Sequence, residues 1–248
     1  MQIYGDYHTH TTLSHGSGTI IENVNRAQEL GLKQIAITDH GIGHIIYGLN
    51  ESKIARARQE IDEIQDKYDI DILLGCECNL VGHSGKIDLP KAGMRDLDIL
   101  LAGYHYIAKV DKLRDLFGLY RYAWLPFMQN NHSKEICTEA YINAVKINPI
   151  DVLTHINKCI TIDCKAVAEV CAEYGTYIEL SSRHFVLSDD DIAGMLGTKV
   201  KFIINSDAHK VDDIANVNLA LDMVEKYNIP DDRVVNLGVN KPEFRSRG

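Results

Sequence analysis

Short apolar runs alternate along this chain with longer amphipathic stretches. The apolar runs cover residues 3–8, 34–38, 71–76, 97–104, 150–154, 176–180 and 200–206. Their lengths, roughly 4–8 residues, are those of buried strands. The stretches between them carry a helical period. Ile20, Val24, Ala27 and Leu30 share one face, with Thr19 as N-cap and Gly31 past the C-terminus. Ile54, Ala57, Ile61 and Ile64 stripe a second helix over 51–68. Further helices are expected over 133–145 with Ser133 as N-cap, over 164–174, after Ser188 with aspartates in the first turn, and over 214–227. A short extended piece at 233–237 ends the pattern. Three segments break it: a glycine-rich loop over 41–50, an excursion over 81–91 read as a hairpin or bulge around Lys86-Ile87-Asp88-Leu89, and the aromatic-rich stretch 106–133, which contains Trp124. That last stretch reads equally as a lid over a site or as a packed satellite cluster.

Strand followed by helix, repeated, implies parallel strands joined by right-handed crossovers. Seven such units closing on themselves give an α/β fold resembling a TIM-like barrel one unit short. An open doubly wound sheet is the alternative. No linker, low-complexity stretch or charge block divides residues 1–248, so one domain is expected.

Composition narrows the partners. With 25% charged residues and a net charge of −9, the chain reads as globular and as neither a nucleic-acid nor an anionic-membrane binder. Bound divalent cations would offset part of that charge. The first residues lack a basic and apolar leader, and no apolar run reaches the roughly 18–20 residues of a membrane span, so a cytoplasmic location is expected. The six cysteines lack paired CxxC spacing and are expected as reduced structural thiols. In Cys76-Glu77-Cys78 the thiols would share the strand face opposite Glu77.

The chemistry lies at the strand ends. His8 and His10, at i and i+2, project from one strand face, with His15 in the loop just beyond. Later runs end in His40, Glu77, His105, His155, and Asp207 with His209. A lone histidine at a strand end is usually an ordinary polar residue, but here the coincidence recurs at almost every strand. On a barrel of βα units these ends gather at one rim. Imidazoles with carboxylates suit Zn, Mn, Fe or Co. The set exceeds the needs of one ion, and Glu77, from a middle strand, is the natural bridge. His44, in the glycine-rich loop, is placed to line a mouth.

His8-Thr9-His10, Thr38-Asp39-His40, Gly75-Cys76-Glu77, Gly103-Tyr104-His105 and Ser206-Asp207-Ala208-His209 together resemble the PHP superfamily of metal-dependent phosphoesterases. The likeness spans nearly the whole chain in order and spacing, and is strongest toward small stand-alone bacterial phosphatases related to histidinol phosphatase. It implies a distorted seven-stranded (β/α)7 barrel holding three divalent metal ions, zinc first, with manganese or iron as alternatives. Carried over, one ion takes His8, His10, Glu77 and Asp207. A second shares Glu77 and takes His105 and His155. A third takes His15, His40 and His209. The sequence departs from the family at Ile156, where proline commonly follows the fifth-strand histidine, which makes His132 a rival to His155; the spacing from His10 to His15 also varies among relatives.

The resemblance further implies hydrolysis of a small-molecule phosphomonoester by a hydroxide bridging two of the metals. Asp39, His184 and a metal-bound water are candidate proton donors, and Asp39 alternatively orients a ligand histidine. Arg183, just past the sixth strand, is a candidate phosphate clamp or else an exposed arginine. Lys86, Lys109 and Lys158 are further candidates. The competing readings are a phosphodiesterase or nuclease, an amidohydrolase, and a non-catalytic metal-stabilised module. The partner expected is a small phosphate ester, with neither nucleic acid nor membrane; the oligomeric state is not legible.

Overall fold

A computed structural model describes residues 2–106, 108–109, 119 and 121–245, without the side chains of Trp124 and Pro126. The strands are β1 (Gly5–Thr9), β2 (Gln34–Ile37), β3 (Asp71–Asn79), β4 (Ile99–Gly103), β5 (Val152–Leu153), β6 (Tyr177–Ser181) and β7 (Phe202–Asn205). The helices are α1 (Ile20–Glu29), α2 (Glu51–Ile64), α3 (Asn131–Ile147), α4 (Cys164–Tyr174), α5 (Asp189–Leu196) and α6 (Asn218–Lys226), with a four-residue helical turn at Arg121–Trp124. The lid-or-cluster expectation for 106–133 lies partly outside the described residues.

All neighbouring strands run parallel, and their order in the sheet is their order in the chain. A doubly wound sheet would reverse strand order at a switch point. Here β7 instead returns to β1, so the fold is a distorted seven-stranded (β/α)7 barrel. Side chains close much of the final seam. Asn205 Oδ1 accepts from the Tyr7 N–H at 3.0 Å. The Asn236 carboxamide donates to the Gly5 and Ile204 carbonyls at 3.0 and 2.7 Å and accepts from the Ile204 N–H at 2.9 Å. Higher up, the His10 N–H donates to the Ala208 carbonyl at 2.8 Å and the Ala208 N–H to the His8 carbonyl at 3.2 Å.

Local sequence explains most element ends. Thr19 and Glu22 form a capping box on α1, and Ser188 with Asp191 does the same on α5. Helix α3 begins earlier than expected. Asn130 is its N-cap, and Ser133 is the third helical residue, whose hydroxyl accepts from the Asn130 N–H at 2.7 Å. Both residues are strong caps, and reciprocal pairing favours the earlier start. Helix α6 begins at Asn218 and not near 214, because Ala215 takes a left-handed φ of 57° and gives its N–H to Asp6. The piece expected at 233–237 makes only isolated bridges, Val234 to Phe202 and Leu237 to Ile3.

The buried apolar residues form two bodies. The larger lies between sheet and helices and includes Ile37, Leu100, Phe202 and Ile204 against Val24, Ile61, Tyr141 and Val167. Cys76 and Cys78 belong to it, free and buried, on the face away from Glu77. The smaller fills the barrel floor with Tyr7, Ala36, Ile99, Leu101, Val152, Ile203 and Val235. Tyr7 packs edge-on against Phe244 with centroids 5.1 Å apart. Burying such a side chain contributes on the order of 1.5–3 kcal/mol. The floor is apolar, so polar groups above it face the opposite mouth of the barrel.

Candidate metal centre

Glu77, on the inward face of β3 just above that floor, is the hub. Its Oε1 lies 3.3 Å from His8 Nε2, 3.3 Å from His105 Nε2 and 2.8 Å from His155 Nε2. Its Oε2 lies 3.0 Å from His40 Nδ1 and 3.6 Å from His10 Nε2. Asp207 Oδ1 stands 3.5 Å from His8 Nε2, 3.4 Å from His10 Nε2 and 3.4 Å from His209 Nδ1. Ligand atoms come within mutual reach in four groups: His8, His10 and Asp207; His8, Glu77 and His155; His40, Glu77 and His105; His10, His40 and His209.

A break in β1 sets the first pair. In a regular strand Tyr7 and His8 would face opposite sides. The pairing with β2 shifts register between Asp6 and Thr9. Across that irregularity Tyr7 packs in the floor while His8 and His10 both join the centre. Two other centre residues sit in strained backbone: His155 at φ 26° and Asp207 at φ 54°. Non-glycine residues there cost on the order of 1–3 kcal/mol each. The His155 N–H is held by Glu179 Oε2 at 2.9 Å, and the residue after Asp207 is pinned to β1 as above.

The electrostatics call for a cation. Burial favours a neutral Glu77, but the imidazoles of His105, His8 and His155 gathered around it hold it well below the usual carboxylate range. Asp207 is likewise held low, with burial outweighed by His8 and His10. At His8, burial is outweighed by Glu77, Glu179 and Asp207, which push the imidazole well above its ordinary value. His10 goes the other way, lowered by burial and by His40.

The donor set fits divalent ions. Glu179 Oε1 lies 2.7 Å from His8 Nδ1. A carboxylate only accepts, so Nδ1 carries a proton, and the second proton that Glu77 and Asp207 favour on Nε2 is the one a bound cation would replace. That Nε2, both ring nitrogens of His10, His40 Nδ1 and Glu77 Oε2 are buried without a hydrogen-bond partner. Donor atoms converging in a buried site repel unless a proton or a cation lies among them.

Glu179 is the residue that the sequence reading missed. It also accepts from Asn205 Nδ2 at 3.0 Å, so a single carboxylate orients His8, His155 and Asn205. The signal was a charged residue inside the apolar run Tyr177-Ile178-Glu179-Leu180, which requires buried partners. Asn79 was missed as well; its Oδ1 lies 2.6 Å from His105 Nδ1. Asp39 is buried beneath His10. Its oxygens accept from the Thr11 N–H at 2.7 Å, the Thr11 hydroxyl at 2.6 Å and the Ser14 hydroxyl at 2.5 Å, and lie 4.0 Å from His10 Nδ1.

A cavity of about 190 Å³ opens over the centre. His15, His44, Tyr106, Lys158, Arg183 and His184 join His40, Glu77, His105, His155, Asp207 and His209 in lining it. His15 is in none of the close groups; its ring stacks on Tyr47 at 4.3 Å and lies 4.9 Å from that of His209. His184 Nε2 is 3.5 Å from Asp207 Oδ2, and burial together with the charge of Lys158 lowers its pKa to about 4. Asp39, Lys86 and Lys109 do not line the cavity. His132 is exposed on the first turn of α3 beside Glu135, so the rivalry with His155 resolves to His155 as the histidine at the centre.

Comparisons with known proteins agree with this geometry. The chain is 32% identical over 251 residues to a protein of Caldanaerobacter subterraneus subsp. tengcongensis named a probable phosphatase, spanning 95% of this chain and 88% of that one. It is 30% identical over 257 residues to a probable phosphatase of Aliivibrio fischeri strain MJ11, spanning 97% and 92%. In fold it is similar to the histidinol phosphate phosphatase of Lactococcus lactis subsp. lactis, solved with zinc, L-histidinol and phosphate, with a TM-score of 0.57, 15% identity and coverage of 93% and 95%. The PHP domain family matches residues 6–186. With that match and those relatives, the chain belongs to the PHP family of metal-dependent phosphoesterases.

Proposed function

We propose that the protein hydrolyses a small-molecule phosphomonoester using a cluster of three divalent ions, zinc being the first candidate. The observation that carries this reading is the set of unpartnered imidazole nitrogens aimed at Glu77 and Asp207 beneath a small open cavity. We assign His8, His10, Glu77 and Asp207 to one ion, Glu77, His105 and His155 to a second, and His15, His40 and His209 to a third. Close contact of His40 with Glu77 Oε2, and of His10 with His40 and His209, supports a continuous cluster over separate sites. Bound ions would activate water near neutral pH and neutralise phosphoryl oxygens.

The chain's own residues do the rest. Glu179 and Asn79 hold imidazole tautomers that present ligand nitrogens inward. Asp39 braces the loop carrying Ser14 beside His15, which favours a structural part over proton donation. Arg183 is a fixed positive charge at the cavity wall for a phosphoryl oxygen. His184, neutral at physiological pH, is placed to give a hydrogen bond to the leaving oxygen.

These parts separate kinetically. Arg183→Ala is expected to raise KM by about 10- to 100-fold, as for loss of a hydrogen bond to a charged group. His184→Ala should lower kcat by only about tenfold, less than the 10²–10⁴ of a dedicated acid. Steady-state rates at saturating metal decide both.

The reaction class is tested with p-nitrophenyl phosphate against bis-p-nitrophenyl phosphate. We expect monoester turnover that chelation abolishes and added divalent metal restores. Turnover of the diester alone would move the protein to the phosphodiesterase reading, and no turnover of either with metal bound would remove the enzymatic one. Histidinol phosphate is a separate arm, since the Lactococcus lactis protein of similar fold was solved with histidinol and phosphate.

A further inference from the structure

The excursion after β3 carries an acid, Asp88, that the proposed chemistry leaves unused. Its carboxylate is enclosed by donors from two segments. Oδ1 accepts from the Asn79 N–H at 2.8 Å, and Oδ2 accepts from the Asn79 carboxamide and from the Gly43 N–H at 2.9 Å. The Asp88 N–H returns a bond to the Asn79 carbonyl at 3.1 Å. The socket is tight. A Cβ on Gly41 would fall 2.3 Å from Asp88 Oδ1, and one on Gly43 would fall 2.6 Å from Asp88 Cβ. Asp88 therefore joins the end of β3 to the loop that carries His44.

The two ends of an asparagine carboxamide are almost the same shape, so packing alone does not choose which one meets His105. Asp88 does choose. A carboxylate only accepts, so the Asn79 NH2 must face it and the Asn79 oxygen must face His105 Nδ1. That oxygen in turn requires a proton on Nδ1, which leaves Nε2, 3.3 Å from Glu77 Oε1, with its lone pair toward the centre. We infer that Asp88 is a positioning residue for His105, fixing its tautomer through the Asn79 carboxamide. The step from tautomer to metal affinity rests on the proposed role of His105 as a ligand; the tautomer itself does not.

The experiment is a long-range proton–nitrogen correlation on ¹⁵N-labelled, chelated protein, with the His105 signals assigned by His105→Gln. Wild type should show the Nδ1–H pattern. Asp88→Ala removes the acceptor that orients Asn79, so His105 should shift toward Nε2–H, and affinity for Zn²⁺, titrated against a competing indicator, should fall by about 10- to 100-fold. Asn79→Ala should cause the same loss, and adding Asp88→Ala to it should cost little more, because both act through one bond. Asn79→Ala leaves Asp88 and Gly43 bonded, so it reads the tautomer even if Asp88→Ala does not fold. An unchanged His105 pattern in either variant, or two losses that simply add, would overturn the inference. Failure of the phosphatase reading would look different: no ester turnover, with the tautomer shift intact.

Discussion

Replacing Glu77 by alanine should strip the centre of most of its metal and lower kcat/KM at least about a thousandfold. The expectation follows from position. Among the described residues, Glu77 is the one carboxylate within 3.6 Å of His8, His10, His40, His105 and His155 together. Without it, any bound cation would face the imidazoles with Asp207 as the remaining carboxylate of the grouped donor atoms. Metal-ion stabilisation of a phosphoryl transition state is worth several kcal/mol, and each 1.36 kcal/mol is tenfold in rate. Elemental analysis of the purified variant and its rate on p-nitrophenyl phosphate make the test. A full metal complement with near wild-type turnover would show that Glu77 is not the hub of the cluster.

Glu179→Ala should act on stability first. It strands three buried donors: His8 Nδ1–H, the His155 N–H and Asn205 Nδ2. Each orphaned buried donor costs about 1–3 kcal/mol, and breaking a buried charged network typically costs about 3–5 kcal/mol. For a chain of this size, Tm should fall by about 6–20 °C at the usual 2–4 °C per kcal/mol. His8 would lose the partner that fixes its tautomer, and metal affinity should fall with it. Unlike Glu77→Ala, this variant should recover most of its rate in excess metal, since no proposed ligand is removed. Thermal melts with and without added zinc, followed by rates across a metal titration, separate the two residues. An unaltered Tm would mean that water replaces the carboxylate without cost.

The candidate ligands were legible because they obey a local rule. His40, Glu77, His105 and His155 each follow or end an apolar run, and parallel strands deliver such ends to one rim whatever the details of packing. The helices were legible for the same reason: Ile54, Ala57, Ile61 and Ile64 are all buried, as their spacing demanded. Boundaries were less so. Asn130 won the cap of α3 from Ser133 through a reciprocal bond, and Ala215 broke the start of α6 because Asp6, far away in sequence, takes its N–H.

Grouping was not legible. Spacing put His8 and His10 on one face, but the shifted register of β1 that lets Tyr7 fill the floor beneath them is set by pairing with β2. His132 and His155 were rivals on the page of the sequence, and only the fold puts one in solvent and the other against Glu77. Glu179 showed as a charge in an apolar strand, without any hint that it reaches past β7 to His8 on β1. The sequence by itself determined the strand–helix rhythm, the ligand types and the rim they share, since these depend on side-chain chemistry and periodicity along the chain. The tertiary structure decided which nitrogens face which oxygens, because that depends on the closure of β7 onto β1 and on contacts between residues on different strands, far apart in the chain.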